Sequence, residues 1–221
     1  MKVKRTSLVD QIYDLILEKI QNRELVPGDR LNIEELAKTF SVSRTPVRET
    51  INRLIQEGFV EQKHNVGPSI IKLSEEEELE LIDANSYLFD IVIDTYQGLN
   101  TLKFLIEELE EIIAEQKVAY EADDEQGSHK ASDCFHQTMI EYCTNRTIRE
   151  CAAKTQNQIN MCTFAYQAVS ENRRQSIIDH TEILQALKQG DIDKTKRLMN
   201  AHNKFSGTTY MKRKLNLEQS E

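Results

Sequence analysis

Proline is scarce and unevenly placed: the chain has only Pro27, Pro46 and Pro68, and none beyond position 68. Glycine is sparse too, and only four glycines, at 98, 127, 190 and 207, fall in the long proline-free part. So few helix breakers over such a length argue against a loop-rich second half and predict helices there. Cys134, Cys143, Cys151 and Cys162 include no C-x-x-C pair, which argues against a thiolate zinc cluster. No run of about 18 apolar residues occurs, so no membrane-spanning helix is expected. No apolar segment follows Lys2, Lys4 and Arg5, so no secretory leader is expected either. Reduced cysteines and a cytoplasmic location follow as expectations.

Positive charge is the scarcer sign, with 28 Lys+Arg against 37 Asp+Glu and a net charge of −9. The deficit is not uniform. Residues 1–73 hold 12 Lys+Arg and 10 Asp+Glu, net +2, whereas 74–221 hold 16 and 27, net −11. An acidic chain is a poor general polyanion binder, so any nucleic-acid contact belongs to the first segment. Composition and charge change together near Leu73. The expected domains are therefore 1–73 and 74–221, and the length suffices for two cores.

In the first segment, Ser7–Arg23 is amphipathic, with Leu8, Ile12, Leu15, Ile16 and Ile20 on one face. A short helix follows over Ile33–Phe40. After Ser41-Val42-Ser43 a second begins and reaches Glu57, burying Val47, Ile51, Leu54 and Ile55 at helical spacing. Pro46 is expected at its first helical position, with Thr45 outside it. Gly58 should stop the helix. Phe59–Gln62 reads as a strand, His64–Pro68 as a turn, and Ile70, Ile71 and Leu73 as a returning strand, with Leu31 able to pair beside them. Helix, short turn, helix and β-hairpin together predict a winged helix-turn-helix. Ser43, Arg44, Thr45 and Arg48 then sit where a helix N-terminus meets phosphates and base edges of duplex DNA, with His64 and Gly67 at the wing. Two arginines on a short helix can equally be a solvated face; the wing tilts the reading toward DNA.

Leu25-Val26-Pro27-Gly28-Asp29-Arg30-Leu31, Glu35-Leu36-Ala37, Val42 to Glu49 and Leu54-x-x-Glu57-Gly58 resemble the N-terminal domain of GntR-type bacterial transcription regulators, over about residues 8 to 73. Two departures stand out. Thr50-Ile51 replaces the family's usual Ala-Leu, and the wing reads His-Asn-Val-Gly-Pro rather than a more basic, Gly-rich form.

The second segment opens on Ser74-Glu75-Glu76-Glu77, a capping-box pattern. Six helices are expected: to near Gly98, about 101–122, to Cys143, about 147–169, about 173–189 and on to near Phe205. Gly190 ends the fifth and Asp191 caps the sixth. The expected fold is mostly α, an N-terminal winged helix-turn-helix followed by an all-α six-helix bundle. His136, His180 and His202 lie on three different helices. They either converge on a divalent cation such as zinc or nickel, or remain three separate polar residues.

Asp133-x-Phe135-His136, Asn145, Asp179-His180-x-x-Ile183-Leu184-x-Ala186-x-x-x-Gly190-Asp191 and Met199-x-x-His202 resemble the ligand-binding domain of the FadR-type GntR subfamily, called FCD, over about 75 to 205. The resemblance implies an Asp and three His around a divalent metal, beside a small carboxylate effector. His136, His180 and His202 fall on the three His positions. The family's Asp lies four before the first His, where this chain has Ser132; either the helix turns slightly and Asp133 substitutes as fourth ligand, or the site is a weaker one of three His. The first helix of such domains often carries an arginine, yet none occurs here between Arg53 and Arg146. Arg146 and Arg149, with Arg173 and Arg174, are then the alternative carboxylate partners, unless they only form surface salt bridges. The resemblance further implies a homodimer on an inverted-repeat operator, with an organic-acid effector altering the spacing of the two heads. The rival readings are a metal-dependent hydrolase or lyase-like helical enzyme with a fused winged domain, and a helical interaction module.

Overall fold

The computed structural model describes residues 7–63, 66–167 and 169–204. The chain divides into two compact units between Lys72 and Leu73. The first contains α1 (Leu8–Gln21), α2 (Ile33–Thr39), α3 (Arg44–Gln56) and the strands β1 (Val60–Lys63) and β2 (Gly67–Ile70). The second contains α4 (Glu75–Asp94), α5 (Leu102–Glu121), α6 (Glu125–Glu141), α7 (Arg146–Gln167) and α8 (Ser170–Lys188). A further helix, α9, covers 192–204. The winged head and the six helices of the second unit agree with the fold expected from the sequence.

In the first unit, α1 packs on α3, burying Ile12, Ile16, Val47, Ile51 and Leu54. Three polar contacts fix their registry. Thr50 is fully buried; its hydroxyl donates to the Pro46 carbonyl at 2.9 Å and lies 3.2 Å from the Val9 carbonyl of α1. The hydroxyl thus finds acceptors at a site where alanine would need none. The Arg53 guanidinium pairs with Asp10 at 3.1 Å and Glu57 at 2.9 Å, and lies 3.7 Å over the Tyr13 ring. Tyr13 completes the cluster by donating its hydroxyl to Glu57. Burial, and then that bond to Glu57, push the phenol well above its ordinary pKa.

Two local expectations are corrected. Helix α3 begins at Arg44, so Thr45 is helical and Pro46 is its third residue. Proline is tolerated there because the N–H groups of a helix's first turn have no partner within the helix. In the wing, β2 starts at Gly67, and Pro68 is paired with Gln62 inside the ladder rather than in the turn. Ile71 and Leu73 lie beyond β2, although the Ile71 N–H still reaches the Phe59 carbonyl at 3.0 Å. The third strand is present only as a bridge between Arg30 and Ser69, with the Leu31 N–H donating to Pro68 at 2.9 Å.

Both glycine stops are real. Gly58 has φ +88°, and the Gly58 and Phe59 N–H groups return to the carbonyls of Ile55 and Leu54. Gly190 has φ +70°, with Gly190 and Asp191 returning to Leu187 and Ala186. A left-handed residue closing a helix with this pair of bonds favours glycine. The capping box at α4 forms as its spacing predicts: Ser74 Oγ accepts from Glu77 N–H at 3.3 Å, and Glu77 accepts from Ser74 N–H at 2.7 Å.

The core of the second unit gathers Phe89, Leu105, Leu109, Phe135, Met139, Leu184 and Met199 from α4, α5, α6, α8 and α9. Asp191 caps α9 through the Lys194 N–H at 2.9 Å. Lys196 pairs with Asp94, and Asn200 donates to Asp90 at 2.9 Å, so α9 runs antiparallel to α4. That course carries His202 into the bundle interior beside α6 and α8.

Candidate functional site

On the head, Ser43, Arg44, Thr45 and Arg48 are all exposed. Ser43 is the N-cap of α3, yet its side chain makes no cap bond. Pro46 has no N–H to offer, so the free donors of this helix end are those of its first two residues and the Ser43 and Thr45 side chains. Arg44 meets Glu34 of α2 at 3.0 Å, with both side chains more than half exposed. Such a pair is worth little and yields readily to a phosphate. Arg48 stands one turn further along the same exposed face. Gly67 opens β2 at φ +94°, and no atom would meet a Cβ built on it. His64 lies outside the described residues.

In the second unit, one ring nitrogen from each of His136, His180 and His202 lies within 4.8 Å of the others, and all three residues are buried. They come from α6, α8 and α9. The His202 and His136 Nε2 atoms are 3.3 Å apart. Two imidazole nitrogens that close need a proton or a cation between them. The other nitrogen of His202, Nδ1, faces Asp179 Oδ2 at 2.9 Å. That bond places the proton on Nδ1 and leaves Nε2 as a lone-pair donor. His180 Nδ1 is likewise held, at 2.9 Å from Gln116 Oε1, while its Nε2 is buried without a hydrogen-bond partner. Phe135 stacks on His180 at 4.0 Å and fixes the ring plane.

Burial, and then the electrostatic influence of His202, hold His136 well below the ordinary histidine pKa; His180 is lowered by burial, then by His202 and His136. Both rings are neutral at pH 7, the form that binds metals. An orphaned buried nitrogen, a second nitrogen facing its neighbour at close range and two anchored tautomers together fit a divalent cation.

The lowered values also predict an acid-labile fold. A group with a depressed folded pKa contributes stability above its unfolded pKa and loses it as pH falls. Metal-free protein should therefore lose stability below about pH 6.5, at roughly 1.4 kcal/mol per pH unit for each histidine. Asp133, pushed up to about 6 by burial with His129 opposing, acts in the reverse sense between about pH 4 and 6. Two histidines against one carboxyl leave a net loss of about 1.4 kcal/mol per unit near pH 5.5. Denaturant titrations at pH 7, 6 and 5.5 measure it, and a flat or rising stability contradicts it.

Three other expected site residues meet protein groups outside the histidine cluster. Asp133 is absent from the histidine group; its carboxylate lies 3.3 Å from His129 Nδ1, one turn back on α6. At i−3 from His136 the side chain rotates away toward the i−4 neighbour of its own helix. Ser132 Oγ lies 3.4 Å from Ser176 Oγ, which accepts from Gln116 Nε2 at 3.3 Å. Arg146 is exposed and pairs with Glu150 at 2.7 Å. Arg149 donates to the Cys143 carbonyl at 3.1 Å, after the end of α6. Both arginines therefore have structural partners of their own.

Sequence reading missed Asp179 and Gln116 as anchors. Gln116 did carry a signal, since it continues the buried stripe Leu105, Leu109, Ile113 of α5. An amide in an apolar stripe needs an internal partner. Outside His202 opens a cleft of about 460 Å³ between α8 and α9, lined by Gln175, Asp179, Glu182, Leu198 and Ala201. Among the described residues no helix is long and apolar enough to cross a membrane.

Known proteins show the same two parts. Residues 8–70 match the bacterial regulatory proteins of the gntR family, and residues 104–205 match the FCD domain. An uncharacterized HTH-type transcriptional regulator of Bacillus subtilis, YdhC, is 25% identical over 204 residues, covering 90% of this chain and 89% of its own. The HTH-type transcriptional repressor RspR of Escherichia coli is 26% identical over 200 residues, covering 87% and 84%. The solved structure of E. coli McbR/YncC has a TM-score of 0.78 at 18% identity, over 94% of this chain and 99% of that one, a likeness of fold.

A winged helix-turn-helix joined to a helical sensing domain defines a DNA-binding transcription regulator. The chain belongs to the GntR family, with an FCD domain as its effector-binding part. Its relatives are regulators, so the hydrolase or lyase reading of the histidine centre is set aside.

Proposed function

We propose that this regulator binds an inverted-repeat operator as a homodimer, in the cytoplasm, under control of a small carboxylate that binds at a metal held by His136, His180 and His202. The observation that carries the control site is the convergence of three buried ring nitrogens within 4.8 Å. Zinc or nickel suits such nitrogen donors. The metal supplies a fixed positive charge on which an anionic effector can seat; these residues anchor it, and Asp179 and Gln116 orient the ring nitrogens. On this reading the FCD domain is of the metal-containing FadR type.

On the head, Arg48 reads the major groove, Arg44, Ser43 and Thr45 bond phosphates, and Gly67 flanks the wing turn. One head covers few base pairs, so two are needed for useful specificity, and two-fold protein symmetry gives operator palindromy. Effector binding shifts the population between two spacings of the heads. Selection from random duplexes, with light scattering on the recovered complex, tests this. A palindromic site bound by two chains is expected. A monomer of 25.6 kDa on an asymmetric site contradicts the dimer.

A further inference from the structure

Resting on the metal reading above, we infer that metal and anionic effector bind this centre cooperatively, because the protein itself brings no anionic ligand to it. Among the described residues the converging group consists of three histidines, with no carboxylate or thiolate in it. Ser132, one turn before His136, offers only a hydroxyl. It belongs to a chain of neutral groups: Ser132 to Ser176 at 3.4 Å, Gln116 to Ser176 at 3.3 Å, and Gln116 to His180 at 2.9 Å. Asp133 is turned to His129. The carboxylate nearest in bonding order is Asp179, and it acts through the far nitrogen of His202.

A divalent cation here would meet three neutral donors and keep its full charge among rings that are at most 5% exposed. Charge buried without compensation is costly. Asp179, one imidazole away, offsets part of it. A monoanion in the coordination left free by three protein donors offsets more. Anion binding then stabilises the metal, and by linkage the metal tightens anion binding by the same factor. A centre with its own carboxylate would hold metal alone and gain less. The regulator therefore responds to metal and anion jointly, and Asp179 is a positioning residue that sets how much of the charge the effector must supply.

The test titrates zinc into chelator-stripped full-length protein against a chromophoric competitor. Acetate is compared with perchlorate at equal pH and ionic strength, with correction for free zinc–acetate. Acetate should tighten zinc binding about ten-fold or more, inside the 5–150-fold range usual for coupled sites. Zinc-loaded protein should also melt higher in acetate, and stripped protein should not. Asp179→Asn should weaken zinc about 10–100-fold in perchlorate while keeping the acetate effect. One zinc per chain, lost in His180→Ala but indifferent to acetate, overturns the cooperativity and leaves the metal reading intact. Identical zinc behaviour in wild type and His180→Ala overturns the metal reading itself.

Discussion

Arg48→Ala is expected to weaken binding to the selected operator by roughly 1–3 kcal/mol and to relax base preference at one position of each half-site. Arg48 is exposed on the outward face of α3, one turn past the uncapped N-terminus. An arginine there can present its two-pronged donor to a guanine edge. Arg44 is held by Glu34 at 3.0 Å, so its transfer to a phosphate costs only a weak exposed pair. Arg44→Ala should therefore weaken binding on all sequences alike and make the salt dependence shallower by about one counterion. Binding measured at several salt concentrations on matched and mismatched duplexes separates the two. Wild-type affinity in the double variant sinks the assignment of α3 to the groove.

Zinc is expected to raise the melting temperature of the second unit, and His180→Ala to abolish the rise. At free zinc 100-fold above Kd the stabilisation is about 2.7 kcal/mol. For a unit of this size that corresponds to roughly 5–10 °C. Because the donors come from α6, α8 and α9, unfolded chain offers no assembled site, so nearly all of the binding energy acts on the folded state. His180→Ala should also lower the melting temperature of stripped protein, since it removes the ring stacked on Phe135 and strips Gln116 of a buried partner. Calorimetry with and without zinc, beside elemental analysis of protein purified without a histidine tag, measures both. An equal zinc-induced rise in the variant contradicts the three-histidine centre.

What could be read from the sequence was local. Gly58 and Gly190 stop their helices because left-handed closure favours glycine, and Ser74 with Glu77 caps α4 because both partners lie within one turn. Residues 136, 180 and 202 were legible as a candidate group because they fall on three different helices and on the three His positions of the FCD resemblance. Pro46 was misplaced by two positions because the whole first turn tolerates proline, so its presence marks a helix start only loosely. Asp133 is turned to His129 of its own helix. Nearness in sequence suggested a ligand, but the carboxylate that engages the centre is Asp179, delivered by the packing of α8 against α9. No periodicity within a single helix encodes such a contact between helices. The wing turn was drawn too wide because Pro68 normally signals a turn, whereas here it sits in the paired strand.

The cluster of Arg53, Asp10, Glu57 and Tyr13 bears on how any alanine scan of the head must be interpreted. Arg53 is a basic residue on the reading helix, so its replacement will register as a loss of DNA binding beside Arg48. Its guanidinium, however, is spent on α1 and on its own helix, not on the outside. The loss would come from a tilted α3 and a less stable head. Its signature is an unchanged salt slope with a lowered melting point, whereas a true contact residue leaves the melting point alone. A basic side chain in a DNA-binding head can thus score as a reader while serving only as the bolt that keeps the reader straight.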